Sequence, residues 1–564
     1  MATLSRSKLF NSPKMDSRIK SANTKASEIW LGYFTGPMLL YMAYYSIAGA
    51  YLTQFYTDVL GLTSGLAATI LTMMPVISKV IDAITNIIMG RIIDKTRTRQ
   101  GKARPWVLIS GFLIAVTGCL LYAVPQAGWQ VQIVWIVVSY NLFFAFAFTI
   151  YNMSHTLMVP LSTRNTKQRD TLALVQNAGM NMLPGLLSSV IMPFLVAEFG
   201  VGVNAQGNWI LFMSVLSILA LPATLVEYFF TKERITEDEM AGGKMDDSNA
   251  IPFMKQITAC FKDRYWIIIM GFIAIYEIAN ILQTNSMIYY CNWVLADSVD
   301  GGKALQATLN ALGQAPLGIG VFVLWPLVNK FGKRRVMQVG FVIAALGSLG
   351  VLLAGSNFGM VIGCMMLKSV GAIPTMVMAA MMAESLDHVE WKNGYRADGF
   401  SSAVRSIIFT VSAGIGQTII LGGIASRGYI VPESSAQIIQ QPDAMRSFFS
   451  MCFAGAPLFM YIIGAILMFV FDVEKKIPQI SADITARHKA EAEARGEVYY
   501  SPEEKVAMEQ AEQDRKAEEN RIKELKEKCA KKGLDFNAEE AKYQAKMAEK
   551  KAKEEAKAAK KKKK

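Results

Sequence analysis

The strongest constraint in this sequence is a recurring pattern: long apolar stretches, each about the length of a bilayer, separated by short polar loops. A helix needs roughly 20 apolar residues to cross the ~30 Å hydrocarbon core. Stretches near 31–57, 66–93, 107–124, 131–160, 171–197, 208–230, 265–295, 304–328, 336–354, 359–386, 399–426 and 447–471 meet that need. A chain that is 52% hydrophobic and only 18% charged has too little polar surface for one soluble core. The pattern therefore predicts an all-α integral membrane protein with twelve transmembrane helices. The first residues are polar and basic, without the apolar core of a cleavable signal, so none is expected.

The loops set the expected topology. The segment 91–104 carries Arg91, Lys95, Arg97, Arg99, Lys102 and Arg104 against Asp94. Basic residues also crowd 161–170, 329–335 and 387–398, whereas the alternate loops hold few. Positive charge collects on the cytoplasmic side of membrane proteins. Both termini are thus expected in the cytoplasm, in a multi-pass protein of the plasma membrane. The net charge of +13 follows from the same bias, so no nucleic-acid partner is expected.

The chain divides by composition. Residues 1–28 read as a cytoplasmic N-terminus, 29–230 as one six-helix half, 231–262 as a polar cytoplasmic linker, 263–472 as a second six-helix half, and 473–564 as a cytoplasmic Ala/Glu/Lys-rich tail. The tail is read as solvated helix and disorder, and its terminal lysines as a contact for anionic lipid or a protein. The loops after spans two and eight are both short, basic and glycine-containing. Two such repeats about an axis along the membrane normal are the plan of major facilitator transporters. Six cysteines without paired spacing argue against disulfides or a zinc centre. The three histidines form no pattern with a nucleophile, metal set or phosphate loop, so the chain is not read as an enzyme.

Ionisable residues inside spans cost about 2.5 kcal/mol or more, and they usually face a cavity or a partner. Span two holds Lys79, Asp82 and Asn86 on one face, with Thr85 beside them. Span four holds Thr149, Asn152 and Thr156 on one face, with Tyr151 and His155 adjacent. Tyr41, Tyr44 and Tyr45 in span one are candidates to stack on a substrate ring or to pack between helices. In the second half, Glu277 and Asn280 lie in span seven, Lys368 in span ten and Arg405 in span eleven. These charges read either as an interhelical pair of Glu277 with Arg405 or Lys368, or as a cavity cation for an anionic group.

Two segments are specific: DAITNIIMGRIIDKTRTRQGKARPW from Asp82 and DHVEWKNGYRADG from Asp387, with FYTDVLGLT from Phe55 as a third match. Together they resemble the glycoside–pentoside–hexuronide cation symporters, the melibiose permease group of the major facilitator superfamily, over roughly residues 28–475. The resemblance implies uptake of a small sugar (glycoside, oligosaccharide or uronide) by alternating access, coupled to Na⁺ or H⁺, with no other cofactor. It implies a cation site at Asp82, Thr85, Asn86 and Thr149, and places Asn152 and Thr156 at substrate positions, to which the polar and aromatic residues inside the spans add Tyr41, Tyr44, Tyr45, Tyr151, His155, Glu277, Asn280, Lys368 and Arg405 as candidates. It further implies gating ion pairs on the cytoplasmic side through Asp94, Arg104 and Arg396. The chain departs from the group's pattern in places. Asn86 stands where many members have a second acid, and Asn152 stands at a sugar-binding aspartate. Met42 or a neighbour replaces the other sugar aspartate. Thr410 and Thr156 stand at a lysine and a tryptophan of the group. These departures keep three rivals open: a uniporter, a carrier of a non-sugar solute such as an amphiphile, and a non-transporting receptor or scaffold acting through its tail.

Overall fold

A computed structural model describes residues 24–545, apart from 48–49, 97, 99, 164–165, 235–251 and scattered positions from 495 onward. The described elements are all helical. Ten helices are long and apolar enough to cross a membrane. They are α2 (Gly65–Ile93), α3 (Arg104–Tyr122), α4 (Trp129–Ser162), α5 (Thr171–Val196), α6 (Gln206–Phe230), α7 (Arg264–Leu295), α9 (Lys333–Leu353), α10 (Phe358–Asn393), α11 (Phe400–Ser426) and α12 (Asp443–Lys475). Two further helices, α1 (Gly36–Ile47) and α8 (Val299–Phe331), occupy the first and eighth apolar stretches.

Lipid is as apolar as leucine, so helices in a bilayer associate through close packing of small residues. Gly371 of α10 shows this. A Cβ there would lie 2.3 Å from the Ala344 backbone nitrogen of α9. Gly36 of α1 packs in the same way against Glu227 of α6, at 2.8 Å from its Cβ. Only glycine permits either approach.

Hydrogen bonds join the two halves at the end of the bundle away from the chain termini. Tyr429 donates to Asp58 Oδ1 at 2.8 Å, and the Thr57 and Tyr289 hydroxyls meet at 3.0 Å. Tyr140 donates to Gln417 at 3.1 Å, and Asn310 Nδ2 donates to the Ser189 carbonyl at 2.9 Å. At the terminal end, each half has its own helix caps. Glu233 accepts the backbone N–H groups of Lys102, Ala103 and Arg104 at 2.9, 2.8 and 2.6 Å, which caps α3. Glu474 accepts those of Lys333 and Arg334 at 2.8 and 3.1 Å, which caps α9. Among the described residues, hydrogen bonds thus close the two halves together at the distal end. Asp58 lies at the distal end and is fully buried there.

That arrangement yields a prediction about the closed end. Tyr429→Phe removes a hydrogen bond to a buried carboxylate, worth about 1.5–3 kcal/mol. The variant should populate a distal-open form about ten- to a hundredfold more than the parent. Hydrogen exchange of residues 51–59 would report it as faster opening, and unchanged protection there would show that the bond does not hold the halves together.

The tail departs from expectation at its start. A helix at Ile477–Ala494 docks on α10 instead of standing free in solvent. Ile480 is buried, Trp391 donates to Asp483 Oδ2 at 2.9 Å, and His488 Nε2 lies 3.1 Å from Glu390 Oε1. The terminal lysine run lies outside the described residues, as do residues 1–23.

Candidate cation and substrate sites

α2 carries Asp82 near its midpoint, half-buried against α4. Asp82 Oδ1 accepts from Thr149 Oγ1 at 2.5 Å and from Asn86 Nδ2 at 3.0 Å. Thr149 follows directly on the wider π-helical turns of Leu142–Phe148 and also donates to the Phe144 carbonyl, at 3.1 Å. Such turns inside an α-helix leave unusual backbone groups and are frequent at functional sites. Lys79 Nζ stands 3.9 Å from Asp82 Oδ2, a long ion pair. Its stem lies at the contact between α2 and α11, where a Cβ on Gly414 would meet Lys79 Cγ at 3.1 Å.

Three of the four expected cation ligands therefore meet. Thr85 does not join them: its hydroxyl donates to the Ile81 carbonyl of its own helix at 3.0 Å. Carboxylate, hydroxyl and amide oxygens suit a hard cation. Thr149 would offer its oxygen by rotating its hydroxyl hydrogen, and Asn86 by exchanging its amide ends. The same carboxylate can also take a proton.

Next to this cluster, the exposed polar face of α4 consists of Asn152 and Thr156. Tyr41 donates to Asn152 Oδ1 at 3.1 Å, which joins α1 to that face. Tyr44 stacks on Phe148, with ring centroids 3.8 Å apart and planes at 13°. Tyr41 and Tyr45 lie 6.1 Å from each other. The three tyrosines thus form one aromatic wall, already partly occupied by packing.

Tyr151 and His155 lie behind that wall. Both are fully buried, and both bond Glu227 of α6: Tyr151 OH to Oε2 at 2.7 Å, and His155 Nδ1 to Oε1 at 2.6 Å. They are packed away from solvent here, contrary to the expectation of substrate contact. A helix shows two adjacent i, i+4 faces in this segment, and burial selects 152/156 for water and 151/155 for packing. Sequence reasoning missed Glu227. It sits three residues from the end of its helix and reads as a boundary charge.

On the other half, Asn280, Thr284 and Arg405 are exposed. Arg405 sits in the second turn of α11, five residues from its start. Arg405 and Glu277 approach closely enough to interact but form no ion pair within 4.0 Å. Lys368 is buried and bonds Gln283 Oε1. The alternative of a direct Glu277 pair with Arg405 or Lys368 is thus not what forms.

Among the described residues, the contacts of Arg104 and Arg396 include partners within their own halves. The Arg104 guanidinium is buried, bonded to the Gln100 carbonyl at 3.3 Å and to the Tyr228 carbonyl, over the Tyr228 ring. Arg396 pairs with Asp387 and stands 3.8 Å from Glu390. The side chain of Asp94 lies outside the described residues. Among the described residues no cluster of His, Cys, Asp and Glu could hold a metal ion.

Long apolar helices, two halves closed at one end, and polar faces exposed inside the spans define a membrane carrier of small molecules rather than an enzyme. The profile of the MFS/sugar transport protein family matches residues 33–475, and the chain belongs to that family. It is 25% identical over 456 residues to the isoprimeverose transporter of Lactiplantibacillus pentosus, covering 79% of this chain and 89% of that one. It is 25% identical over 444 residues to the inner membrane symporter YicJ of Escherichia coli (strain K12), covering 78% and 90%. The fold is similar to a solved bacterial homologue of the human lysosomal transporter Spinster, with a TM-score of 0.53, 12% identity, and coverage of 81% of this chain and 99% of that one.

Proposed function

We propose that the chain is a secondary active transporter of a small sugar, driven by a cation bound at Asp82. In this reading twelve spans form two halves of six, both termini are cytoplasmic, and the cleft opens to the cytoplasm. The observation that carries the reading is Asp82 Oδ1, half-buried inside a span and bonded by both Thr149 and Asn86. A carboxylate is expensive there unless it holds something that repays its desolvation. The named relatives, an isoprimeverose transporter and a symporter, agree with both parts of the proposal. Substrate would lie between Tyr41, Asn152 and Thr156 on one side and Asn280, Thr284 and Arg405 on the other. Arg405 favours an acidic sugar, since a guanidinium forks onto a carboxylate.

One observation favours a second reading. Lys79, at 3.9 Å, is a tethered cation beside Asp82 and would neutralise it without any coupling ion. The protein would then be a uniporter.

A thermal-shift screen of the purified protein against neutral and acidic sugars, with and without Na⁺, tests the proposal. A ligand at 100 times its Kd stabilises the native state by about 2.7 kcal/mol. A sugar shift that grows with Na⁺ supports coupling at Asp82. A sugar shift indifferent to both Na⁺ and pH supports the uniporter. No shift from any sugar overturns the substrate class.

A further inference from the structure

We infer that His155 and Glu227 form a second ion site, one that takes a proton, set one layer behind the cleft wall. Charges buried in the bundle apart from Asp82 include Asp58 at the distal closure and Lys368 on Gln283. The His155–Glu227 pair differs from both, because it combines an acid and a base with an unused nitrogen.

The geometry is complete on one side and open on the other. Both Glu227 oxygens are engaged, by His155 Nδ1 at 2.6 Å and Tyr151 OH at 2.7 Å. The Tyr151 and His155 rings stack at 5.1 Å with planes 13° apart, which fixes the imidazole. Gln176 Nε2 donates to the His155 carbonyl at 3.1 Å. His155 Nε2, fully buried, has no hydrogen-bond partner.

Proton counting follows from those bonds. With Nδ1–H donated to the carboxylate, a bare Nε2 makes the imidazole neutral and leaves the pair with one negative charge. A proton on Nε2 would neutralise the pair overall. It would also create a buried N–H without an acceptor, at a cost of about 1–3 kcal/mol or more. A buried carboxylate left without a compensating charge costs about 3–5 kcal/mol, which is more, so the distal-closed form fits the protonated pair. Release of the proton needs a form in which water reaches Nε2. The proton comes from water on one side of the membrane and returns to water on the other, and no other covalent bond changes.

The surroundings do not supply the missing charge. From the α1 side the pair faces Tyr41 and Tyr33, and Tyr33 donates to the Met158 carbonyl at 3.1 Å. Glu28, just before α1, is held by Arg234 at 2.8 Å, so these two charges offset one another. From α4 comes Tyr151. On α6, the neighbouring Tyr228 bonds Gln100 and lies under Arg104 of α3.

α1 links this site to the cleft. Gly36 packs on Glu227 with no room for a Cβ, and Tyr41 of the same helix reaches Asn152 at 3.1 Å. The Tyr41 ring lies 6.2 Å from the His155 ring. Any shift of α1 that admits the proton also moves the hydroxyl bonded to the cleft-facing Asn152. Proton and substrate are then linked reciprocally.

The test needs no substrate. The chain has only three histidines, so ¹³C-histidine labelling of the full protein in nanodiscs gives three assignable NMR signals. Between pH 5 and 9 the His155 signal should change protonation state, and so should that of Asp82→Asn. Hydrogen exchange of residues 51–59, corrected for intrinsic rates, should quicken about tenfold from pH 6 to pH 8 in the parent, because loss of the proton destabilises the distal-closed form. It should not change in Glu227→Gln. A His155 signal fixed in one state throughout, or exchange indifferent to pH, would overturn the inference and leave the sugar-carrier reading intact. If the Glu227 variant does not fold, these two measurements on the parent protein still decide.

Discussion

Replacing Asp82 by asparagine is expected to abolish substrate accumulation driven by a Na⁺ gradient, while downhill exchange of substrate survives. The change keeps the shape of the side chain and its acceptor for Thr149, and it removes only the charge. A cation-coupled carrier must bind its ion more tightly in the substrate-loaded state. Without the carboxylate that difference disappears, and uptake into energised vesicles should fall at least 100-fold. Each tenfold corresponds to about 1.4 kcal/mol. Asn86→Asp should act in the opposite sense and strengthen Na⁺ binding, unless Lys79 captures the new charge. The pairing alternative has its own signature. If Asp82 serves only to neutralise Lys79, the single variant leaves a buried ammonium unpaired, at a cost of about 3–5 kcal/mol. Adding Lys79→Met should then restore what Asp82→Asn lost. Recovery of Na⁺-driven accumulation in that double variant would exclude Asp82 as the cation ligand. A proton gradient is a separate trial, because His155 and Glu227 stand apart from Asp82.

The way these residues meet explains what the sequence made legible. Apolar stretches of bilayer length and basic loops between them are dictated by the solvent, so they are written locally. The ten long helices fall on predicted spans, usually within a few residues. The meeting of Asp82, Asn86 and Thr149 was half local, since offsets of three and four fix one helix face. The other half came through the resemblance, which linked span four to span two.

Burial between helices was not legible. Residues 151 and 155 share one face of α4 and residues 152 and 156 the next, and nothing in the segment says which face meets α6. Glu227 was hidden for a related reason. An acid three residues from a span end is ordinarily solvated, and here Gly36 of a distant helix covers it. Thr85 failed as a ligand because a threonine in a helix readily returns its hydroxyl to its own i−4 carbonyl. Arg104 and Arg396 look alike as loop charges. The fold buries one under Tyr228 and pairs the other with Asp387, distinctions that depend on partners 124 and 9 residues away.

The same logic gives the second large effect, on substrate choice. Arg405 is exposed inside a span, and Glu277, an acid close enough to interact with it, does not bind it directly. A guanidinium left in this way is poised for an anionic group that arrives with the substrate. Arg405→Gln removes the charge but keeps a polar side chain. Its affinity for a uronic-acid glycoside should fall about 100-fold, or about 2–3 kcal/mol, the worth of a charge-assisted bond. A neutral disaccharide should change less than threefold. Arg405→Lys should recover only part of the loss, because an ammonium cannot fork onto a carboxylate. Glu277→Gln should tighten the uronide, since it removes the repulsion a carboxylate exerts on an incoming anion. Titration calorimetry of the four proteins with both sugars reads these differences. Equal losses for neutral and acidic sugars would make Arg405 a structural residue. A preference for the neutral sugar in the parent would move substrate recognition to Tyr41, Asn152 and Thr156 on the opposite wall.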